Sequence, residues 1–365
     1  MREGGTTAGS LRQHVSAALP ALRRARAPRR NRAGGPTGAR ALVGARRRTC
    51  ICLCARACVL ALAALVACAG CLAACSGSGS PGANGIDTAE SSTSGPAFER
   101  PTLALSPFDA DAATNVNGAL IDTSHLAEGY VAVSATSTSR LKLEVAQGDA
   151  VCHYDLPNDG TPLSCPLTLG DGAYSFTVWE NTSGNRYGEM ASIQDVEVNL
   201  ADEFQPFVRP SVYCDYDASS ASTELADELC ADAQNQGDAL RAVYDWIVAN
   251  IVYDEGKAAT LADATGYVPS PDATIADGSG ICFDYASLAA AMLRSQGIPC
   301  KIVTGNVSPD DIYHAWNMVY IDGTWIGTGI DVKQNTWTRI DTTFAAGSGS
   351  NYVGDGTSYT DRYTY

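Results

Sequence analysis

Residues 278–297 read GSGICFDYASLAAAMLRSQG and carry the strongest helical pattern of the chain. Apolar side chains recur at three- and four-residue steps after Cys282, which predicts a helix over about 280–296. Gly297 suits the left-handed position that ends a helix, and Pro299 prevents its continuation. The sequence therefore places Cys282 at the N-terminus of an apolar helix, directly after a Gly-Ser-Gly turn.

Strands are predicted on the C-terminal side of this helix. The segments 299–307 and 312–322 are rich in β-branched and aromatic residues, which favours strands. Asp322-Gly323 indicates a hairpin turn that returns through TWIGTG, and a further strand is expected at about 336–344. The Gly-, Ser- and Tyr-rich C-terminal tail is expected to form a ragged edge.

Two regions precede the central helix. Residues 238–254 follow helical spacing, and Asp238 is expected to cap that helix. Residues 99–209 hold short alternating segments such as LKLEV and AYSFTVWE between Gly-Asp turns, which is typical of a β-sandwich. The predicted fold class is α+β, with a small β-sandwich-like accessory domain over 99–209 and helices packed on an antiparallel sheet over 210–365.

The first 75 residues indicate export. They contain 13 of the 25 Lys and Arg residues, and the uncharged run at 59–70 is too short to span a bilayer comfortably but fits a signal sequence. The LAAC at 72–75 resembles the bacterial lipobox, in which the signal is cleaved before the cysteine and the thiol receives lipid. We expect an exported protein anchored to the outside of the bacterial cell membrane through Cys75, with 76–98 as a flexible linker. An ordinary small-residue cleavage site is the alternative.

The remainder of the chain is strongly acidic. Residues 1–75 hold 13 basic side chains and one acidic one, and subtracting them from the totals of 25 and 40 leaves 12 and 39, a net charge of −27. Such a surface repels nucleic acid and favours solubility or cationic partners, so no nucleic-acid partner is expected.

Cysteine usage agrees with export. Seven of the 13 cysteines lie in residues 1–75, and the others are Cys152, Cys165, Cys214, Cys230, Cys282 and Cys300. Outside the cell, Cys152 could pair with Cys165 and Cys214 with Cys230, although six cysteines allow 15 pairings. Residues 76–365 contain no CxxC and no Cys–His cluster, which argues against a zinc site there.

Three residues have the chemistry of a nucleophilic site. Unpaired amides at a helix N-terminus favour a thiolate at Cys282. His314 could pair with that thiolate and protonate a leaving amine, and Asp341 could orient the imidazole. Strand alternation puts His314 on one face with Trp316, and packing of that face on the helix would aim His314 at Cys282. Taken singly, each residue also has a structural reading, as a buried thiol, a satisfied histidine or a turn-capping acid.

The segments GSGICFDYASLAAAMLRSQGIPCKIVTG, YHAWNMVYIDGTW and RIDTTF resemble the transglutaminase-like superfamily. That family has a Gly-x-Cys helix start, a His-Ala-Trp strand and an Asp-Pro-Thr strand end. The third segment departs from the pattern because Thr342 replaces the proline, and Asp331 is a rival for the acidic position. The resemblance covers roughly 238–344.

The resemblance implies a papain-like fold with Cys282 as nucleophile, His314 as acid and base, and Asp341 as orienting group. It implies chemistry without a cofactor. Family members transfer acyl groups to amines or hydrolyse amide bonds. For the oxyanion, the backbone amide of Cys282 is one donor, and Tyr253 or a side chain of 254–279 is a candidate for the second.

Three functions follow as hypotheses. The first is a surface enzyme acting on peptide or protein amides at the cell envelope. Hydrolysis is favoured over Gln–Lys cross-linking because water is abundant and no organised amine site is visible. The second is a non-catalytic envelope binding module on the same fold. The third, a redox protein, requires a bond between Cys282 and Cys300.

Overall fold

The computed structural model describes residues 91–365, apart from 263, 309–310, 349–352 and 355–357, and describes only the backbone at 348, 353 and 354. The predicted leader, its lipid-attachment residue Cys75 and the linker up to residue 90 lie outside the described residues. None of the helices within the described ranges is long and apolar enough to cross a membrane.

Strands occur along the whole described chain. In chain order they are β1 (Ser92–Ser94), β2 (Thr114–Val116), β3 (Ala119–Asp122), β4 (Tyr130–Ser134), β5 (Leu141–Gln147), β6 (Ala150–Leu156), β7 (Leu163–Pro166), β8 (Gly172–Ser183), β9 (Arg186–Val198), β10 (Val252–Tyr253), β11 (Ser279–Gly280), β12 (Cys300–Val307), β13 (Ile312–Val319), β14 (Thr324–Gly327), β15 (Ile330–Val332), β16 (Thr338–Ile340), β17 (Val353–Gly354) and β18 (Tyr359–Thr364). The helices are α1 (Ala221–Leu229), α2 (Gln236–Asn250), α3 (Glu255–Leu261), α4 (Pro271–Asp277), α5 (Cys282–Ser295) and α6 (Thr342–Ser348). The predicted α+β class is confirmed.

The N-terminal part consists of two antiparallel sheets in the order β2-β3-β4-β7 and β6-β5-β8-β9. Alternate residues such as Leu143 of β5 and Phe176 of β8 are fully buried, as expected where one face of a sheet covers a core. Asn117 and Gly118 take positive φ angles of 50° and 91°, which suits the two-residue turn between β2 and β3. One hydrophobic core continues from these sheets into α5.

The helix α5 is buried on every side, and each of its residues from Cys282 to Ser295 is inaccessible or nearly so. It ends where the sequence predicted, because Gly297 has a φ of 73°. A Cβ atom at Gly297 would lie 2.2 Å from Cγ of Pro101, so packing as well as conformation requires glycine there.

The helix α2 differs from its prediction at both ends. Asn235 is the N-cap and accepts a hydrogen bond from the Asp238 N–H, so Asp238 lies inside the first turn. The predicted end at 254 is also too late, since the chain leaves the helix at Ile251 to form β10, which pairs in parallel with β11.

A five-stranded sheet lies beside α5 in the order β17-β16-β13-β12-β18. Packing of the β13 face that carries His314 and Trp316 on the helix was the condition under which His314 would be aimed at Cys282, and the structure does not meet it. Asn317 donates a hydrogen bond to the Ala286 carbonyl in α5 at 2.9 Å, whereas Trp316 packs in a separate apolar cluster on the other face. The helix therefore covers the face opposite to Trp316.

Three predictions about the edges of this region also need correction. The turn at 322–323 does not return to β13, because β14 pairs with β1 on one side and β15 on the other. The pairing with β1 also means that residues 92–94, within the predicted flexible linker, belong to the fold. The strand expected at 336–344 ends at Ile340, and α6 follows directly.

The predicted disulfides are absent, since all six cysteines between residues 91 and 365 are free thiols. Cys152 in β6 and Cys165 in β7 belong to different sheets, and their side chains are close enough to interact without being bonded. Cys230 directs its sulfur to the Ala239 carbonyl at 3.8 Å, while Cys214 lies near Arg294. Neither predicted pair is therefore joined by a disulfide in the structure.

Candidate active site

Cys282 is the first residue of α5 and is 8% exposed. The chain reaches it through β11, whose last residue is Gly280. A Cβ atom at Gly280 would lie 2.6 Å from the Cβ of Asp284, so a side chain there would clash with the first turn of the helix. This close approach explains why a glycine stands two residues before the cysteine.

The start of α5 is fixed by the buried carboxylate of Asp284. It accepts hydrogen bonds from the Ile281 N–H at 2.8 Å and the Tyr267 hydroxyl at 2.5 Å, and it forms an ion pair with Lys257 Nζ at 2.7 Å. Burial alone would lower the pKa of Lys257, but the hydrogen bonds to Asp284 and Tyr267 raise it. The segment that carries Lys257 and Tyr267 is thereby held against the helix start.

His314 and Asp341 form a buried pair. The distance between His314 Nε2 and Asp341 Oδ2 is 2.8 Å, and the two residues are 4% and 1% exposed. Asp341 also accepts the Phe344 N–H at Oδ1 and the Tyr359 hydroxyl at Oδ2, at 2.9 and 2.8 Å. The Phe344 ring stacks on the imidazole with 4.3 Å between centroids. The orientation of His314 is thus fixed by contacts on its edge and on its face.

The protonation of His314 depends on three effects. Burial lowers its pKa, but the Asp341 carboxylate and the interaction with the Cys282 sulfur raise it to about 10. Because Asp341 occupies Nε2, Nδ1 is the ring nitrogen left for Cys282. A cysteine at a helix N-terminus, a histidine beside it and a carboxylate behind the histidine can perform nucleophilic attack on an acyl carbon.

Cys282 and His314 line one narrow recess with about 30 Å³ of free space. Its walls include Tyr267, Phe283 and Thr304. Thus His314 reaches Cys282 at the end of α5, although the body of the helix covers the other face of β13.

Tyr253 lies close to Cys282 in the structure. It pairs with Gly280 in the β10–β11 ladder, and its pKa is raised by burial and then by Cys282. Its half-buried hydroxyl has no hydrogen-bond partner among the residues that the structure describes. Its part in binding an oxyanion stays a prediction.

The structure separates the other candidates from this recess. Asp331 is exposed on β15 and pairs with Lys333 at 3.4 Å. Cys300 is fully buried, which raises its pKa to about 12, and it forms no disulfide with Cys282. The described ranges contain no group of three or more His, Cys, Asp or Glu side chains that could hold a metal ion.

Several residues around the site were missed by sequence reasoning. Asp284 follows Ile281 by three residues, a spacing typical of helix-capping acids that could have revealed it. Lys257 and Tyr267 carry no comparable signal, and neither does Tyr359, because it lies in a tail of low complexity. Thr342 replaces the expected proline without opening the turn, since Asp341 itself caps α6.

The structure therefore combines an α+β fold with a recess shared by Cys282 and His314 and with Asp341 behind the imidazole, an arrangement that defines a protein with a candidate thiol site. Residues 223–341 match the model of the Transglutaminase-like superfamily, and the chain carries a transglutaminase-like domain. The family resemblance expected for roughly 238–344 is therefore confirmed for the domain over residues 223–341.

Relatives cover only parts of the chain. Human Kyphoscoliosis peptidase is 29% identical over 148 residues, which are 38% of this chain and about a fifth (21%) of that protein. Legionella pneumophila LapG is 15% identical, with a TM-score of 0.27 over 40% of this chain and 83% of that one. Red sea bream transglutaminase is 13% identical, with a TM-score of 0.25 over 58% of this chain and 48% of that one.

Proposed function

We propose that the protein is an enzyme that cleaves or transfers the acyl group of peptide or protein amides through Cys282. The observation that carries this proposal is the meeting of Cys282 and His314 in one recess, with Asp341 behind the imidazole at 2.8 Å. The transglutaminase-like domain supports the same chemistry.

The reaction follows from the charges at the site. The Cys282 sulfur attacks the amide carbon, and the backbone N–H of Cys282 donates to the oxyanion. The C–N bond then breaks as His314 gives its proton to the leaving amine, which leaves a thioester on the sulfur. His314 next removes a proton from water, and the resulting hydroxide attacks the thioester, releases the acid and frees the sulfur.

Hydrolysis is the proposed outcome rather than transfer to an amine. Water is abundant outside a cell, whereas an amine acceptor needs a site that competes with it. The substrate is proposed to be a peptide or protein of the cell envelope. No cofactor takes part in the proposed steps.

The role of Cys282 is tested with an electrophilic probe for nucleophilic thiols, followed by peptide mapping. We expect labelling of Cys282, and a loss of amidase activity of at least about 10³-fold in Cys282→Ala. Cys300→Ala is the matched control, because Cys300 is buried away from the recess, and it should keep full activity. Activity that survives in Cys282→Ala would exclude this mechanism, whereas a wild type with neither activity nor labelling of Cys282 would favour a binding module.

We also propose that the protein is exported and attached to the bacterial cell membrane through lipid on Cys75. The support is the LAAC motif after an uncharged run of signal-sequence length. Metabolic labelling with a fatty-acid analogue should label the wild type and leave Cys75→Ala unlabelled and shed to the medium. Equal labelling of both would place the lipid elsewhere.

A further inference from the structure

A groove of about 710 Å³ lies where the N-terminal sheets meet the helical part. Phe108 and Leu163 line it from the first part, and Val268 and Asp272 from the second. Proline is unusually frequent in its walls, at Pro157, Pro162, Pro210, Pro269 and Pro271. Because proline restricts the backbone, the groove is largely formed before any ligand enters.

The groove and the recess of Cys282 are lined by residues that neighbour one another in the chain. Tyr267 lines the recess, and the next residue, Val268, lines the groove. Phe283 of the recess packs on Tyr213, with 5.1 Å between ring centroids, and the neighbouring Val212 again lines the groove. An extended peptide with its reacting amide at Cys282 could therefore place a residue a few positions away in the groove, since each residue spans about 3.3 Å.

The charge of the groove has one sign. Its lining includes Asp155, Asp215 and Asp272 and contains no Lys, Arg or His among the described residues. Asp155 is neutralised by Arg140 and Lys142, and Asp272 accepts two backbone N–H groups at the start of α1.

Asp215 is the one of these three carboxylates whose negative charge has no partner among the described residues. It has neither an ion pair nor a hydrogen bond to any residue that the structure describes. Its side chain is exposed to solvent at the groove, yet partial desolvation by the surrounding walls and then the nearby carboxylates of Asp217 and Asp272 raise its pKa. A ligand cation would relieve that repulsion.

We propose that the groove binds the part of a peptide substrate that flanks the reacting amide and selects a lysine or arginine there. The cation pairs with Asp215, and the aliphatic stem of the same side chain lies on apolar lining such as Val268. This inference rests on the proposed action on peptide or protein amides and adds a preference for basic substrates.

The test measures binding to the Cys282→Ala protein, so that no chemistry is required. Three fluorescent ten-residue peptides differ at one central position that is Lys, Gln or Glu. We expect the Lys peptide to bind about threefold to fivefold tighter than the Gln peptide and about tenfold tighter than the Glu peptide at low salt. The preference should shrink as salt rises.

Two variants test whether Asp215 is responsible for the preference for Lys. Asp215→Asn should reduce the preference for Lys over Glu to less than about twofold, because it removes the proposed partner. Asp195→Asn makes the same charge change outside the groove at a φ of 56°, which asparagine tolerates, and it should leave the preference intact.

Equal binding of the three peptides, no measurable binding of any of them, or equal effects of the two variants would overturn the inference. These results are distinguishable from failure of the proposed function. If the thiol probe labels Cys282 but the protein shows no preference for the Lys peptide, only the proposed role of the groove is disproved. If the protein prefers the Lys peptide but Cys282 is unreactive, the proposed catalytic function is disproved and the groove remains a peptide-binding site.

Discussion

Two neighbours of the His314 imidazole favour its positively charged form. Asp341 contacts Nε2 at 2.8 Å, and the Cys282 sulfur interacts with the rest of the ring. Burial acts in the opposite direction, but the pKa still rises from its ordinary range to about 10. The residue that must protonate a leaving amine is therefore charged throughout the neutral range.

The first prediction concerns pH. Since the pKa of His314 is raised, its proton is present below about pH 10 and is lost above it. The value of kcat/KM should therefore stay level through neutral pH and fall with an apparent pKa near 10. Asp341→Asn removes the charge that holds the proton, so the alkaline fall should move to lower pH. Circular dichroism at each pH separates this effect from unfolding, and an unmoved alkaline limb in Asp341→Asn would contradict it.

The second prediction concerns Tyr359, whose hydroxyl donates to the same Asp341 oxygen that contacts His314. In Tyr359→Phe the carboxylate can turn away from the imidazole, so kcat should fall by about fivefold to tenfold, the effect of about one hydrogen bond. The alkaline limb should also shift to lower pH. Tyr363→Phe, on the same strand, is the control and should retain both values.

At this scale the sequence revealed three residues and missed the fourth. Cys282, His314 and Asp341 stand in short motifs with unusual residue types, and the structure brings them together, while their catalytic roles stay predictions. Tyr359 follows a Gly- and Ser-rich stretch with no periodicity. Its contact with Asp341 depends on how the tail pairs with β12, and nothing local in the sequence encodes that pairing.

Among the elements, α5 contributes most to the site, because its first residue is Cys282, the proposed nucleophile. Its N-terminus is closed by its own third residue, Asp284, and not by a cap from the preceding loop. The same carboxylate binds Lys257 and Tyr267, so one side chain sets both the helix start and a wall of the recess.

The third prediction is that Asp284→Ala lowers the free energy of unfolding by about 3 kcal/mol, because Lys257 loses its buried partner. The same change frees Tyr267, so KM should rise as well. Glu255→Ala in the first turn of α3 is the matched control, since Glu255 is exposed, and it should change stability by less than about 0.5 kcal/mol. Urea denaturation measures the first effect and steady-state kinetics the second.

The sequence predicted elements better than their pairing. Periodicity and Gly297 placed α5 to within two residues, because both signals are local. The Asp322-Gly323 turn was read as a hairpin with β13, but β14 pairs with β15 and with β1, and β1 is more than 200 residues away in sequence. Long-range pairing of this kind depends on tertiary packing, as does the choice of which face of β13 meets the helix.

At the scale of the whole molecule, the C-terminus closes the structure around Arg294. This guanidinium is 1% exposed and donates to the carbonyls of Cys300, Arg209 and Tyr365 at 2.8, 3.1 and 3.0 Å. It therefore joins the end of α5, the segment after the N-terminal sheets and the last residue of the chain. The tail expected to be a ragged edge is strand β18, paired along β12.

The fourth prediction follows from this arrangement. Arg294→Lys keeps the charge, but a single ammonium cannot reach three carbonyls in the directions of a planar guanidinium. Stability should fall by about 3 kcal/mol, because buried carbonyls are left without donors. Arg241→Lys on the surface of α2 is the control and should have little effect.

Arg294→Lys should also lower activity, because β18 connects Arg294 to the active site. Tyr359 begins this strand and Tyr365 lies at its end, so loosening the end weakens the hold of Tyr359 on Asp341. Hydrogen exchange should show faster exchange of the β18 amides, and kcat should fall in the folded protein as it does in Tyr359→Phe. Combining the two changes should then lower kcat by less than the product of the single effects, because both act through one hydrogen bond. Fully multiplicative losses would mean that the C-terminal anchor and the Asp341 contact are independent.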